Sequence, residues 1–180
     1  MPNLRPGIGA IICYCFCSLC LVLFACQNTE EQAAEDYSDC RYEKPEAIFY
    51  DGLPQISDHK FNLRGRGSEE SFVLSNSIKI SIFQYGCDYR TQEFQFDLGN
   101  RASCDEPAAC TRQAVQFFQS LSRLGPEYHT FRVWAKAIND VAHEMRFGQA
   151  VQLAEGFWVK VDERKKLGST TLMLTLSEKE

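Results

Sequence analysis

The chain has 180 residues, which suits one domain or at most two small ones. Hydrophobic residues make up 44% of it and charged residues 24%, so there is enough apolar surface to exclude an intrinsically disordered chain. The formal net charge of −5 argues against a nucleic-acid binder that works by neutralising phosphates. The chain contains 9 cysteines, more than an ordinary cytosolic protein carries, and their positions are informative.

The first segment of the chain predicts its destination. Arg5 is its only charge, and an apolar run follows from Ile8 to Ala25, which is typical of a secretory signal peptide. The run ends in Leu23-Phe24-Ala25-Cys26, which resembles the lipobox of bacterial lipoproteins, with an aliphatic and a small residue at fixed distances before a cysteine. The resemblance implies that residues 1–25 are removed and that Cys26 is lipidated. It also implies attachment to the bacterial cell envelope, and we expect the outer membrane; an uncleaved membrane anchor is the alternative.

The rest of the chain divides into a tether and a domain. Residues 26–36 carry several acids and no core-forming residues, which is typical of a solvated tether. Residues 37–180 contain no second linker and no internal repeat, so we expect a single domain there. Four cysteines lie in this domain, and an even count in an oxidising compartment predicts two disulfides. They are Cys40, Cys87, Cys104 and Cys110.

Apolar runs and period-two alternation predict the first strands. Ala47–Tyr50 is predicted as a short first strand and Phe72–Leu74 as a second, with a mobile glycine-rich loop over 63–67 between them. Clear alternation over 78–83 and 93–98 predicts the two strands of a hairpin. Its turn is expected near Gly86-Cys87-Asp88-Tyr89.

Two helices and two further strands complete the predicted fold. Asp105 as N-cap and Pro107 in the first turn predict a helix that ends before Gly125-Pro126, and a second helix is expected from Phe131 to Met145. Alternation then predicts strands over 157–162 and 172–176. This order indicates an α+β fold. We expect a two-layer sandwich, an antiparallel sheet of five or six strands with a two-helix hairpin on one face.

The hairpin geometry favours one pairing of the cysteines. Cys87 lies at the hairpin tip, whereas Cys104 follows the far end of the second strand. Those ends are separated by over ~20 Å of strand, while bridged Cα atoms lie within about 7 Å. The pairs Cys40–Cys87 and Cys104–Cys110 are therefore preferred. A Cys87–Cys110 bond stays open if the hairpin bends back, and zinc binding is the alternative to disulfides.

No catalytic motif emerges from the titratable or glycine-rich segments. His143-Glu144 lacks the second histidine of a zinc-protease motif, because position 147 is Phe147. His59 and His129 are isolated in the sequence, and Gly65-Arg66-Gly67-Ser68 lacks the Gly-Lys-Ser ending of a phosphate-binding loop. We therefore predict no catalytic residue, metal ligand or cofactor, although a site assembled in space remains open.

The solvent-facing side of the predicted sheet is the candidate binding face. Aromatic residues with a polar rim are typical of a recognition surface, unless the tether or the segment 58–71 covers them. The residues are Phe83, Tyr85, Trp158, Lys160 and Met173. We predict a lipid-anchored envelope protein that binds a protein partner, as an inhibitor or immunity-type module does, and not nucleic acid. The alternatives are a small envelope hydrolase and a structural lipoprotein of an assembly machine.

Overall fold

The computed structural model describes residues 37–100, 104–154 and 156–179, which belong to one unit of the chain. The predicted signal peptide, Cys26 and the tether lie outside these described residues. Within them, seven antiparallel strands and two α-helices give an α+β fold. The strands are β1 (Ile56–Arg64), β2 (Gly67–Leu74), β3 (Lys79–Tyr85), β4 (Thr91–Gly99), β5 (Ala150–Ala154), β6 (Phe157–Lys166) and β7 (Ser169–Ser177). The helices are α1 (Pro107–Leu121) and α2 (Thr130–Asp140), with a 3₁₀ helix, Pro126–Tyr128, between them.

The sheet consists of two meanders that meet in its interior. Strands β1 to β4 follow one another in space, and so do β5 to β7. Because β7 pairs with β4, the order across the sheet is β1-β2-β3-β4-β7-β6-β5. The register places Phe94 of β4 opposite Leu174 of β7. Both helices lie in the connection between β4 and β5.

The hydrophobic core lies between one face of the sheet and the helices. Alternate residues of the central strands are buried there, among them Ile80 and Ile82 of β3. The buried side of α1 has the residues that its helical spacing predicts. Aromatic pairs tie the two layers together: the rings of Phe96 and Phe117 lie 4.5 Å apart, and those of Phe94 and Phe118 lie 4.8 Å apart.

The sheet has more strands than the five or six that the sequence predicts. The glycine-rich segment is not a mobile loop, because Gly65 and Arg66 form the tight turn between β1 and β2. The two edge strands, β1 and β5, were not predicted. Conversely, Ala47–Tyr50 is not a strand. The backbone N–H groups of Ile48 and Phe49 bond to the side chain of Glu70 instead of a neighbouring strand.

Two details of the C-terminal half also differ from the sequence prediction. Helix α2 ends at Asp140, five residues before Met145, which is nevertheless buried. Phe157 was expected in the core but is only half-buried, and its ring packs edge-on against Trp134 at 5.2 Å.

Among the described residues, no helix has the length and apolar character that a bilayer span requires.

Two disulfides are present in the described residues. They join Cys40 to Cys87 and Cys104 to Cys110, which is the pairing that the hairpin geometry favours. The first bond attaches the segment before β1 to the turn between β3 and β4. The second lies at the start of α1.

Candidate functional site

The face of the sheet opposite the helices, here named the open face, carries all five residues of the predicted binding face. They alternate with core residues along their strands: Trp158 and Lys160, for example, flank the buried Val159. None of the five is buried, and the side chain of Tyr85 is 51% exposed. They are Phe83, Tyr85, Trp158, Lys160 and Met173.

The strand register arranges these residues in neighbouring rows across the open face. One row runs from Tyr85 through Thr91 and Ser177 to Trp158, and the next from Phe83 through Glu93 and Thr175 to Lys160. Each row crosses three strand spacings, so its outer residues lie about 14 Å apart. The candidate residues are therefore spread over a contact area of this width.

The Tyr85 end of the open face is ordered by ring stacking. The rings of Phe83 and Tyr85 are nearly parallel, with centroids 6.3 Å apart. Burial raises the pKa of Tyr85, and the carboxylates of Glu93 and Glu69 raise it further. The phenol therefore stays neutral near pH 7 and can donate a hydrogen bond to a partner.

The opposite end of the open face contains a shallow depression of about 450 Å³, here named the Trp158 pocket. The hydroxyls of Thr91 and Ser177 lie 3.1 Å apart at its lining. The Nζ atom of Lys179 lies 5.3 Å from the centre of the Tyr89 ring. Its lining side chains include Tyr89, Thr91, Trp158, Lys160, Thr175, Ser177 and Lys179.

The Trp158 pocket is positively charged in an acidic protein. Lys160 and Lys179 line it, and among the described residues no carboxylate does. The chain as a whole carries a formal charge of −5. Two lysines, two aromatic rings and several hydroxyls can together hold an anionic group beside an apolar one.

Tyr89 and Lys179 are among the residues of this pocket that were missed from the sequence. Lys179 lies two positions after Ser177 and thus on the same side of the chain, a signal that alternation could have provided. Tyr89 depends on the turn geometry at Gly86. There φ is +127°, and a Cβ would collide with the Tyr89 carbonyl, so only glycine fits.

Residues 46–49, before β1, pack on the core side of the sheet, opposite the open face. Phe49 contacts Phe72 on the core side with ring centroids 4.8 Å apart, and the carbonyl of Glu46 accepts a hydrogen bond from Gln84. The segment 58–71 forms most of β1 and β2 and belongs to the sheet itself. The alternative that this segment is a loop covering the open face is therefore wrong.

A hydrogen-bonded cluster of Asp51, His59 and Glu70 lies at the first two strands. The His59 Nδ1 atom is 2.7 Å from Asp51, and its Nε2 atom is 2.8 Å from Glu70. Burial lowers the pKa of His59, but hydrogen bonds to Asp51 and Glu70 and the charges of these carboxylates raise it, with a net rise. The sequence contained a signal for this cluster: Glu70 alternates with Phe72, so its carboxylate falls on the core face and needs partners.

This cluster has a structural role rather than a catalytic one. Both nitrogens of the His59 ring are bonded to carboxylates, so neither is available to take a proton from a substrate. The Glu70 carboxylate is bonded to His59 and to the backbone N–H groups of Ile48 and Phe49. Its interactions therefore hold the segment before β1 in place.

The remaining candidates from the sequence do not assemble into a site. His143 is exposed in the turn after α2 and lies 3.5 Å from its neighbour Glu144, and His129 occupies the start of α2. The segment Gly65–Ser68 belongs to the β1–β2 hairpin. All four cysteines of the domain are in disulfides, so they offer no thiolate to zinc in this state.

Comparison with known proteins gave no relative. No family model, no curated protein and no solved structure matches this chain.

Proposed function

We propose that this protein is a lipid-anchored protein of the bacterial cell envelope, at the outer membrane, and that its open face binds a protein partner. The resemblance of Leu23-Phe24-Ala25-Cys26 to a lipobox supports the anchor. The two disulfides support exposure to an oxidising compartment such as the envelope. The observation that carries the binding role is the Trp158 pocket, which has lysines and aromatic rings and is lined by no residue of the described segment before β1.

The charge of the pocket indicates the chemistry of the partner. Lys160 and Lys179 favour an acidic side chain, and the rings of Trp158 and Tyr89 favour an apolar group next to it. The partner therefore presents an acidic residue beside an aromatic or aliphatic one on a flat surface. Such a role is that of an inhibitor or immunity-type module, which acts by occupying the surface of another protein.

Cross-linking in intact envelopes tests this role. The full chain is cross-linked and purified, and captured proteins are compared between the wild type, Trp158→Ala and Lys160→Glu. Val133→Ala is the matched control, because Val133 is an exposed apolar residue on α2, away from the open face. A specific partner should be lost with both open-face variants and retained with Val133→Ala. A partner that all variants capture equally contradicts binding through the open face.

The anchor has a separate test. Cys26→Ser should abolish labelling by a radioactive fatty acid and leave an uncleaved precursor or a soluble species. Mass spectrometry of the wild type should find a mature chain that begins at a lipidated Cys26. A chain that begins elsewhere, or that still carries residues 1–25, contradicts the lipoprotein assignment without affecting the proposed binding face.

A further inference from the structure

A second cavity, of about 310 Å³, lies on the helix side of the sheet. It forms where the segment before β1, the start of β4, the 3₁₀ helix and α2 meet. Its volume is at the lower end of the range of pockets that hold small molecules. The main lining residues are Tyr50, Gln92, Glu127, Tyr128, Phe131 and Trp134.

Four of the eight residues that line the cavity are aromatic, and contacts with neighbouring rings fix their positions. Tyr128 stacks on Phe49 with centroids 4.8 Å apart, and Tyr50 stacks on Tyr128 at 6.2 Å. Trp134 packs edge-on against Phe157. The face of an aromatic ring carries negative potential, so a wall built from such rings attracts a cation.

The one carboxylate that lines the cavity among the described residues belongs to Glu127. The Tyr50 hydroxyl donates a hydrogen bond to Oε1 of Glu127 at 2.8 Å, and this bond, with burial and the carboxylate charge, raises the pKa of Tyr50. A Cβ on Gly125 would lie 2.5 and 2.6 Å from the two Glu127 oxygens, so the carboxylate is folded over this glycine. The position of the negative charge is therefore defined on two sides.

This carboxylate has no cationic partner in the described part of the chain. Glu127 forms no ion pair there, and no lysine, arginine or histidine lines the cavity. The amide of Gln92 donates to Gln84 at 3.3 Å, which leaves its carbonyl oxygen as an acceptor. The aromatic rings, the Glu127 carboxylate and the Gln92 carbonyl oxygen all favour a positively charged ligand.

We infer that this cavity binds the alkylammonium group of a small organic cation. The rings of Tyr50 and Trp134 provide cation–π attraction, and Glu127 supplies the opposite charge. A neutral molecule of the same shape gains the apolar contact but neither electrostatic contribution. Discrimination between a cation and its neutral isostere is therefore the signature of this site, and it is independent of partner binding on the open face.

Tryptophan fluorescence tests the inference. The chain has 2 tryptophans, so Trp158→Phe leaves Trp134 as the only reporter in the full-length protein. This variant is titrated in a non-ionic detergent with choline and, separately, with the neutral alcohol in which carbon replaces the choline nitrogen. Choline should change the emission saturably, at a concentration about tenfold lower than the alcohol requires. Equal potency of the two compounds, or no saturable response to choline, overturns the inference.

Variants of Glu127 and its neighbour provide the second measurement. Glu127→Gln should weaken choline binding roughly fivefold, since an exposed carboxylate contributes modestly. Gly125→Ala keeps the charge but displaces the carboxylate, and it should weaken binding as well. The matched control is Glu144→Gln, an exposed carboxylate that does not line the cavity. Unchanged affinity in Glu127→Gln would contradict the site.

Discussion

The Nε2 atom of His59 lies 2.8 Å from Oε1 of Glu70, a carboxylate whose side chain has no exposure to solvent. The pair connects two adjacent strands to the segment before β1, because Glu70 also accepts backbone N–H groups from that segment. A buried carboxylate is costly unless it is fully bonded, and protonated His59 gives it the opposite charge. The attachment of residues 48–49 to the sheet therefore depends on one side chain rather than on a strand ladder.

Removal of the Glu70 carboxylate should strongly destabilise the fold. Glu70→Ala is expected to lower the free energy of unfolding by about 3–5 kcal/mol, because His59 and two backbone N–H groups lose their acceptor. The adjacent Glu69 is a matched control: it lies on the open face in an ion pair with the exposed Arg64, and Glu69→Ala should cost less than about 1 kcal/mol. Urea denaturation measures both. Similar losses of stability in the two variants would contradict the stabilising role of the Glu70 carboxylate.

The same pair predicts a dependence of stability on pH. The pKa of His59 is higher in the folded protein than its ordinary value, so protonated His59 stabilises the fold. This contribution is complete below the unfolded pKa of about 6.5 and is lost as the pH rises through the folded pKa. The difference in unfolding free energy between the wild type and His59→Gln should be larger at about pH 6 than at about pH 9. A difference that grows towards alkaline pH would contradict this assignment.

The two disulfides should contribute unequally. Cys40–Cys87 spans a sequence separation of 47 residues and Cys104–Cys110 a separation of 6. The chain-entropy model gives about 4 kcal/mol for the first and about 2 kcal/mol for the second. Paired serine variants of each bond, compared by denaturation, measure the ranking. A larger loss for the Cys104–Cys110 pair would mean that local packing, rather than chain entropy, dominates.

Truncation of a core ring should mainly lower stability, whereas truncation of an open-face ring should mainly weaken partner binding. Phe118 is 0% exposed, so Phe118→Ala is expected to cost about 3–5 kcal/mol through lost burial and a cavity. Trp158 is half-buried on the open face, and its truncation should cost clearly less stability than that of Phe118 while reducing partner cross-linking. Thermal unfolding and cross-linking distinguish the two effects. A domain that loses as much stability with Trp158→Ala would have a second core on this face.

Alternation predicted the part of the fold that depends on local spacing. The side chains of β3, β4, β6 and β7 lie on the faces that period two assigns, which is why the five residues of the predicted binding face come together. The disulfide pairing also followed from local geometry, since strand length alone separates Cys87 from Cys104. Phe157 also lies on the helix side, but it pairs with the end of the edge strand β5 and is therefore only half-buried against Trp134.

The remaining features depend on contacts between distant residues. Ala47–Tyr50 has an apolar pattern suited to a strand, but its partner is the side chain of Glu70, more than twenty positions away. In β1, the register shifts between Ser57 and Lys60, and Asp58 has a φ of +54°, so alternation is interrupted there. Tyr89 joins the Trp158 pocket only because the turn at Gly86 brings it there.

The meeting of β4 and β7 has a consequence for the order of folding. Both disulfides lie within residues 40–110, so no disulfide among the described residues reaches the second meander. Strands β1 to β4 can pair and be cross-linked while β5 to β7 are still unfolded, and during that interval β4 is an open edge with Phe94 and Phe96 unprotected. The strand at the centre of the finished sheet is therefore an edge strand until the second meander pairs with it.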